Sequence, residues 1–265
     1  MSSSQVLSVF ANRFSLIKTK HNSYHRLVAK FLEYSSYLHL SQLEKIKLSE
    51  NFGFKDVIAP SILIKYQVRV SKDLNQIVFP WYHDLGDYRT SSNQDHAKII
   101  GYRVHTRNEE TGTIEVTQEN FYDEDHLGFF GIHKARNNSI QTVIVSNEFE
   151  ALAVANHTKF QAVALPMTES YLRQATSDFL PDQFVPLLER FQKLIVWISV
   201  YSIGNLNNMR RLAHEIAREL GTQRTQLVSY NPRDSATLAP SYVSYRHLYL
   251  ISGGKIFNLL GYKKL

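Results

Sequence analysis

The second half of this chain alternates between apolar runs of strand length and stretches with helical periodicity, and this alternation constrains the fold more than any other feature. The strand-like runs are QTVIVS, QAVALP, KLIVWIS and RTQLVSY, and the helix-like segments between them are EFEALAVANH, LPDQFVPLLERFQ and NLNNMRRLAHEIARELG. A strand–helix–strand order of this kind joins parallel strands through helices that cover the sheet. The sequence therefore predicts an α/β fold with a compact, mostly parallel sheet flanked by helices.

The first half of the chain is organised differently. Residues 28–66 have helical patterning interrupted by Pro60, whereas YQVRV, QIVFPWY, KIIGYRVHTR and GTIEVTQENFY are short runs separated by Asp, Gly and Asn turns. Such runs are typical of antiparallel strands. We divide the chain into a basic N-terminal segment (1–32), a helical extension (33–66), an antiparallel β section (67–127), the α/β region (128–240) and a tail (241–265) that we do not assign to the core.

Composition excludes several classes of protein. With 265 residues, of which 43% are hydrophobic, the chain is long enough for a substantial core. It has no run of 18 apolar residues, which argues against a membrane partner. The absence of cysteine excludes disulfides and a thiolate zinc ribbon. A net charge of +6 suits an anionic partner such as nucleic acid, although it also fits an ordinary basic protein.

The first 32 residues contain five basic side chains and no acidic one, because the first acid is Glu33. The segment is rich in serine, and apolar residues recur at Val6, Val9 and Phe10. An acid-free, basic, amphipathic and serine-rich start is typical of a mitochondrial presequence. We therefore expect the protein to be in the mitochondrial matrix, with an ordinary basic N-terminal helix as the alternative.

Two strand ends are candidate positions for chemistry. The segment VIVSNEFEA is a strand followed at once by a helix, and LIVWISVYSIGN is a second strand. In an α/β sheet the carboxyl ends of neighbouring parallel strands meet at one edge, where ligands usually bind. Carboxylates placed there would hold Mg²⁺, which prefers oxygen ligands.

This layout resembles the Toprim fold of primases and topoisomerases. The first Toprim motif is a strand that ends in Glu-Gly and continues as x-x-Asp-Ala into a helix, and the second is a strand that ends in Asp-x-Asp. Against this pattern, Glu150 stands at the Asp of the first motif, Ser146 replaces the general-base Glu and Asn147 replaces the Gly. Ser199 and Tyr201 stand at the two Asp positions of the second motif. The resemblance implies a degenerate site with no catalytic residue and no metal.

A longer stretch, from residue 50 to about 247, resembles the primase-like N-terminal half of the Twinkle-type mitochondrial replicative DNA helicases, which are related to phage primase–helicases. The segments that carry the resemblance are NFGF (51–54), KYQVRV to IVFPWY (65–82), GFFGI (128–132), VIVSNEFEALAVANHT (143–158), AVALP (162–166), LLERFQKLIVWI (187–198), RRLAHEIARELGTQRTQLV (210–228) and SYVSYRHL (241–248). The resemblance implies single-stranded and duplex DNA as partners, a hexamer-type homo-oligomeric ring, mitochondrial DNA replication and a nucleoid location.

The motor of that family, which is an ATP-dependent 5′–3′ helicase, needs a P-loop. The nearest match here, YLISGGKIF, has Tyr249 where Gly is required and Ile256 where Ser or Thr is required. From about residue 250 the chain no longer resembles the family's linker. We therefore expect no cofactor in this chain, with ATP and Mg²⁺ belonging to the absent motor, and no ATP hydrolysis or unwinding by this polypeptide alone.

Basic side chains are the candidate DNA contacts, while Trp81 and Trp197 fit packed strands better than base stacking. Two alternatives remain open: a DNA-independent interaction module of the helicase, and a Mg²⁺-dependent primase or nuclease that uses Glu148, Glu150 and the Asp123–Asp125 loop. The candidate DNA contacts are Arg69, Lys98, Arg103, Arg210, Arg211 and Arg218.

Overall fold

The computed structural model describes residues 24–55, 57–82, 99–120, 128–134, 140–158, 160–165, 185–197, 211, 214, 217–229, 249–252 and 255–258. It has a mixed α/β architecture with one antiparallel and one largely parallel sheet. Within the described ranges, no helix combines the length and the apolar character needed to cross a membrane.

The N-terminal layer contains three helices: α1, which includes residues 24–33, α2 (Gln42–Asn51) and α3 (Pro60–Lys65). Ser41 and Glu44 form a capping box that fixes the start of α2, and Pro60 occupies the first turn of α3. The prediction of helix throughout 28–66 is wrong between α1 and α2. There Ser35–Ser36 form a short strand, β1, because their backbone pairs with Arg69 and Val70.

The predicted antiparallel section is confirmed. It contains β2 (Arg69–Val70), β3 (Gln76–Tyr82), β4 (Ile99–Arg107) and β5 (Ile114–Asn120), which lie in the order β1-β2-β3-β4-β5. Both faces of this sheet are covered. Leu27 and Phe31 of α1 cluster with Val78, Tyr102 and Val104 on one face, and the other face joins the main core.

The second sheet has the order β11-β10-β9-β8-β6-β7. Its strands are β6 (Gln141–Val145), β7 (Gln161–Ala164), β8 (Lys193–Val196), β9 (Thr225–Ser229), β10 (Tyr249–Ser252) and β11 (Lys255–Asn258). Strands β7, β6, β8 and β9 are parallel, as predicted. Helix α4 (Glu148–His157) follows β6, α5 (Val185–Glu189) precedes β8, and residues 217–220 are helical.

Part of the tail belongs to the second sheet, which the sequence does not predict. The sequence does not assign residues 249–258 to the core, yet β10 pairs antiparallel with β9 and β11 pairs antiparallel with β10. The segment that fails as a P-loop is therefore a β-hairpin at the edge of the second sheet.

One aromatic cluster joins the two sheets. The ring of Phe149, in the first turn of α4, lies 4.9 Å from Phe79 of β3, 5.9 Å from Phe54 and 6.2 Å from Phe52, measured between ring centroids. The contact with Phe79 is edge-to-face, which is a favoured geometry for aromatic pairs. Helix α4 is therefore fixed against the antiparallel sheet at its amino end.

Gly131 of the GFFGI segment is required by both conformation and space. Its φ is +80°, and a Cβ there would lie 2.9 Å from the carbonyl oxygen of Ala162. We expect Gly131→Ala to lower the free energy of unfolding by about 2 kcal/mol or more, because the left-handed conformation alone costs about 1–2 kcal/mol. Urea denaturation should show a smaller loss for Gly112→Ala, whose φ of +69° is similar but whose Cβ would meet nothing within 4 Å. Equal losses would contradict the steric argument.

Candidate functional site at the carboxyl end of strand β6

The two strands that carry the degenerate motifs are neighbours. β6 pairs parallel with β8, with Ile144 opposite Val196, and Trp197 N–H donates to the Ile144 carbonyl at 2.8 Å. The prediction that these strands lie side by side is therefore confirmed, and their carboxyl ends share one edge of the sheet. Ser199 and Tyr201, the positions of the second motif, lie outside the described residues.

Asn147 is the N-cap of α4. Its backbone is extended, with a φ of −147°, and its side-chain Oδ1 accepts a hydrogen bond from Glu150 N–H at 3.0 Å. Asparagine is among the best residues for this position because it satisfies an N–H group of the first helical turn. The residue that replaces the motif glycine thus stabilises the start of the helix.

The carboxylate of Glu150 turns back towards the strand. Its Oε2 accepts a hydrogen bond from Ser146 N–H at 2.8 Å, and the residue is only 2% exposed. Ser146 is also buried. The carboxylate that matches the Toprim motif is therefore bound to the backbone of the turn itself and lies inside the protein.

Glu148 is the centre of a buried polar cluster that links the two sheets. It is 1% exposed, and its Oε1 accepts hydrogen bonds from Arg103 Nη1 at 3.1 Å and from Trp81 Nε1 at 3.2 Å. Its Oε2 lies 3.2 Å from His105 Nε2. A carboxylate can only accept, so the proton of this last bond belongs to His105. Three side chains from β3 and β4 thus hold the first turn of α4.

The ionisation of Glu148 is set by competing effects. Burial by itself raises its pKa, but the Arg103 guanidinium and the hydrogen bond from His105 outweigh burial and lower the pKa from 4.5 to about 2. Glu148 is therefore an anion at neutral pH, and its counterion is part of the protein.

The prediction that Arg103 contacts DNA is wrong. The sequence makes this side chain a candidate DNA contact, but it is 2% exposed. Its guanidinium bonds Glu148 and Gln118 and lies 4.6 Å from the ring centroid of Trp81. A phosphate cannot reach a cation that is enclosed and neutralised in this way, so Arg103 is a structural residue.

The other predicted contacts are distributed differently. Arg69 is half-buried, donates to the Tyr34 carbonyl at 2.6 Å and lies over the ring of Phe31, so it stabilises the packing of α1. Arg211 and Arg218 both have helical backbone and are exposed. Lys98 and Arg210, like the loop at 123–125, are outside the described residues. Trp81 and Trp197 are buried, as predicted.

The chemistry open to this site is limited by these contacts. The carboxylates of Glu148 and Glu150 accept hydrogen bonds from different protein donors. Among the residues that the structure describes, no group of three His, Asp or Glu side chains could hold a metal ion. The described side chains of this turn therefore do not fit the Mg²⁺ ions that a primase site would need.

Sequence reasoning missed the cluster around Glu148. One signal was present: Glu148 and Glu150 flank Phe149 between the apolar strand VIV (143–145) and the apolar run ALAV (151–154). Carboxylates in such a segment are buried with the rest of it, and a buried carboxylate requires a partner.

Comparisons with known proteins identify the fold. No family model matches the sequence, and no curated protein matches it. Among solved structures, the chain is similar to the zinc-binding and RNA polymerase domains of the Aquifex aeolicus primase, with a TM-score of 0.49 and 11% identity over 80% of this chain and 56% of that one. It is also similar to the DnaG primase catalytic domain bound to single-stranded DNA, with a TM-score of 0.50 and 9% identity over 80% of this chain and 71% of that one.

At these identities the likeness concerns the fold alone, and the fold assignment depends on the DnaG catalytic domain. This chain has a primase-like fold, in which an antiparallel sheet packs against a largely parallel one. It spans little more than half the length of the Aquifex primase chain.

Proposed function

We propose that this chain is the primase-like region of a Twinkle-type mitochondrial DNA helicase, that it binds single-stranded and duplex DNA during mitochondrial DNA replication, and that it no longer synthesises primers. The primase-like fold supports a role in DNA replication. The resemblance over residues 50–247 supports the more specific assignment to this class of helicase.

The proposed loss of primase chemistry is inferred from the contacts within the turn between β6 and α4. Ser146 occupies the general-base position, and the one carboxylate retained from the motif, on Glu150, accepts from the Ser146 N–H at 2.8 Å. Phosphoryl transfer with two metals needs carboxylates that converge on the ions and clamp the developing charge. This turn presents none in that way, so the region acts as a scaffold.

DNA binding is supported by the net positive charge of the chain and by its similarity of fold to a DNA-bound primase domain. The chain has a net charge of +6, and Arg211 and Arg218 are exposed residues with helical backbone. The DnaG catalytic domain of similar fold was solved bound to single-stranded DNA. We extend this partner to the present chain, with the exposed arginines as phosphate contacts.

The remaining parts of the proposal follow from the sequence. The acid-free N-terminal 32 residues support a location in the mitochondrial matrix and its nucleoids. In the full-length class, a helicase motor that binds ATP and Mg²⁺ would assemble the hexamer-type ring, and this region would support that assembly.

Fluorescence anisotropy with labelled single-stranded and duplex DNA, measured from about 50 to 200 mM salt, tests the proposal. Each phosphate contact contributes roughly one unit to the log–log slope. We expect a steep slope that falls by about two units in Arg211→Ala/Arg218→Ala, because two contacts are lost. Lys47→Ala/Lys72→Ala removes the same charge from exposed positions on α2 and the β2–β3 connection and serves as the control. Absent or salt-independent binding would contradict DNA recognition.

A further inference from the structure

Strand β5 is the last strand of the antiparallel sheet within the described residues. It pairs with β4 through seven consecutive residue pairs, from Gly101–Asn120 to Arg107–Ile114, without a shift in register. Its sequence, IEVTQEN, contains no proline and no lysine. Bulges, prolines and charged side chains usually protect a sheet edge against pairing with another chain. This edge has no bulge and no proline, and its two charges are both negative, so they oppose an acidic strand but not a basic one.

The backbone of β5 has hydrogen-bonding groups that point outward. Arg107 N–H donates to the Asn75 carbonyl at 2.9 Å, so the peptide groups of Arg107 face β3. Backbone groups alternate sides along an antiparallel strand, so those of His105 also face β3. Val116, which is opposite His105, therefore directs its N–H and C=O away from β4. Among the described residues, no backbone group bonds Val116 on that side.

The side chains along this edge are accessible and acidic. Glu115, Val116 and Thr117 are exposed, and Val116 is 39% exposed although it is apolar. Glu115 and Glu119 lie on the same face of the strand, because side chains alternate. Glu119 is half-buried and lies 3.3 Å from Lys30 Nζ of α1, and an exposed ion pair of this kind contributes little. The nearby hairpin adds two more exposed carboxylates, Glu109 and Glu110. This is an acidic edge on a protein whose net charge is +6.

We propose that β5 binds an extended segment of a protein partner as an additional antiparallel strand. The partner segment has basic side chains opposite Glu115 and Glu119 and an apolar side chain opposite Val116. Main-chain hydrogen bonds to Val116 provide the attachment, and the side chains at alternate positions provide specificity. This interaction does not depend on DNA binding.

Charge favours a basic partner over a second copy of the chain. In a self-paired register that joins Val116 to Gln118, Glu115 would face Glu119 of the other copy. In a register that joins Ile114 to Val116, the two Glu115 side chains would face each other. The register centred on Val116 avoids these contacts but gathers Glu115 and Glu119 of both copies along one face. Like charges across strands destabilise pairing, whereas opposite charges stabilise it.

The test uses the full chain and a short fluorescein-labelled peptide with lysines four residues apart, valine opposite Val116 and threonine elsewhere. We expect saturable binding, at roughly 10–100 μM because a single added strand buries less than a standard interface. Glu115→Lys should weaken binding about fivefold by replacing an attractive pair with a repulsive one. Glu110→Lys makes the same change of charge on the hairpin and should leave the affinity within about twofold, because Glu110 lies outside the ladder.

A second peptide, N-methylated at the residue opposite Val116, retains the charge and loses one backbone donor; it should not bind. Equal weakening by Glu115→Lys and Glu110→Lys, or equal binding of the two peptides, would overturn the proposal in favour of non-specific attraction. Concentration-dependent dimerisation in light scattering that Glu115→Lys alters, without binding of the peptide, would overturn it in favour of self-pairing.

Discussion

Replacing Glu148 by alanine is expected to lower the free energy of unfolding by about 3–5 kcal/mol, because it leaves the Arg103 guanidinium buried without its counterion. The lost contacts are the bonds to Arg103 at 3.1 Å, Trp81 at 3.2 Å and His105 at 3.2 Å. Denaturant unfolding followed by circular dichroism measures the effect. A loss of this size would remove much of the stability of a typical domain, so soluble yield should fall as well.

The matched control is the double variant Arg103→Met/Glu148→Met. Removing both charges and filling the space with apolar side chains of similar reach is often neutral or stabilising for a buried ion pair. We therefore expect the double variant to be more stable than Glu148→Ala, although Trp81 Nε1 and His105 Nε2 still lose the acceptor that Glu148 provides. A double variant that is as unstable as Glu148→Ala would show that the shape of the cluster matters more than its charge balance.

The same cluster gives the protein a defined response to acid. The folded state holds the pKa of Glu148 at about 2, below its ordinary value of 4.5. Ionised Glu148 therefore contributes stability that is fully present above about pH 4.5 and is lost as the pH falls towards about 2. Unfolding curves at stepped pH should show this loss in the native chain, and Glu148→Gln should lack that part of the pH dependence.

Phe149→Ala is expected to have an effect of similar size, about 3–5 kcal/mol, because it opens a cavity where the two sheets meet. Phe149 is fully buried and contacts the rings of Phe52, Phe54 and Phe79. Thermal and urea unfolding should show the loss. The aromatic contacts add to the effect, since edge-to-face pairs contribute beyond the area that they bury.

Two further variants serve as controls for this prediction. Phe149→Leu retains most of the apolar volume and should cost less than Phe149→Ala. Leu43→Ala removes an apolar side chain that is 77% exposed on α2 and should change stability by no more than about 0.5 kcal/mol. If Phe149→Ala behaved like Leu43→Ala, α4 would not be the element that joins the sheets.

The sequence predicts the part of the fold that local patterns encode. The run TVIVS followed by EFEALAV indicates a strand and a helix, and the structure has β6 and α4 there. The same reasoning allows β6 and β8 to lie side by side, and the structure pairs them in parallel. Asn147 is recognisable as a departure from the motif, although its role as an N-cap is clear only from its contact with Glu150.

The sequence does not show which face of a strand is buried when both faces are covered. In β4, Arg103 and His105 alternate with Tyr102 and Val104, a pattern that suggests a polar face in solvent. Here α1 covers Tyr102 and Val104, while α4 brings Glu148 to the opposite face. The partner of Arg103 is 45 residues away along the chain, so no local pattern reveals it.

The strands of the tail could not be predicted for a different reason. The residues YLIS and KIFN are strand-like, but their place in the sheet depends on pairing with β9, which precedes them by about 20 residues. Register with a distant strand is set by tertiary packing rather than by propensity. A strand with weak local signals therefore resembles a linker when only its own sequence is considered.

In the proposed function, protein groups take the place of the charges that a metal centre would require. Arg103 neutralises Glu148, and the Ser146 N–H binds Glu150, so the turn is held without a divalent cation. The surrounding sheets keep the primase-like arrangement. We infer that the fold was retained for binding after its chemistry was lost.

DNA affinity measured in EDTA and again in Mg²⁺ at matched ionic strength, with primer synthesis assayed in the same samples, tests this account most directly. We predict saturable DNA binding in EDTA, no strengthening by Mg²⁺ and no primers under either condition. Binding that requires Mg²⁺, or primers that disappear in Glu150→Gln, would contradict it.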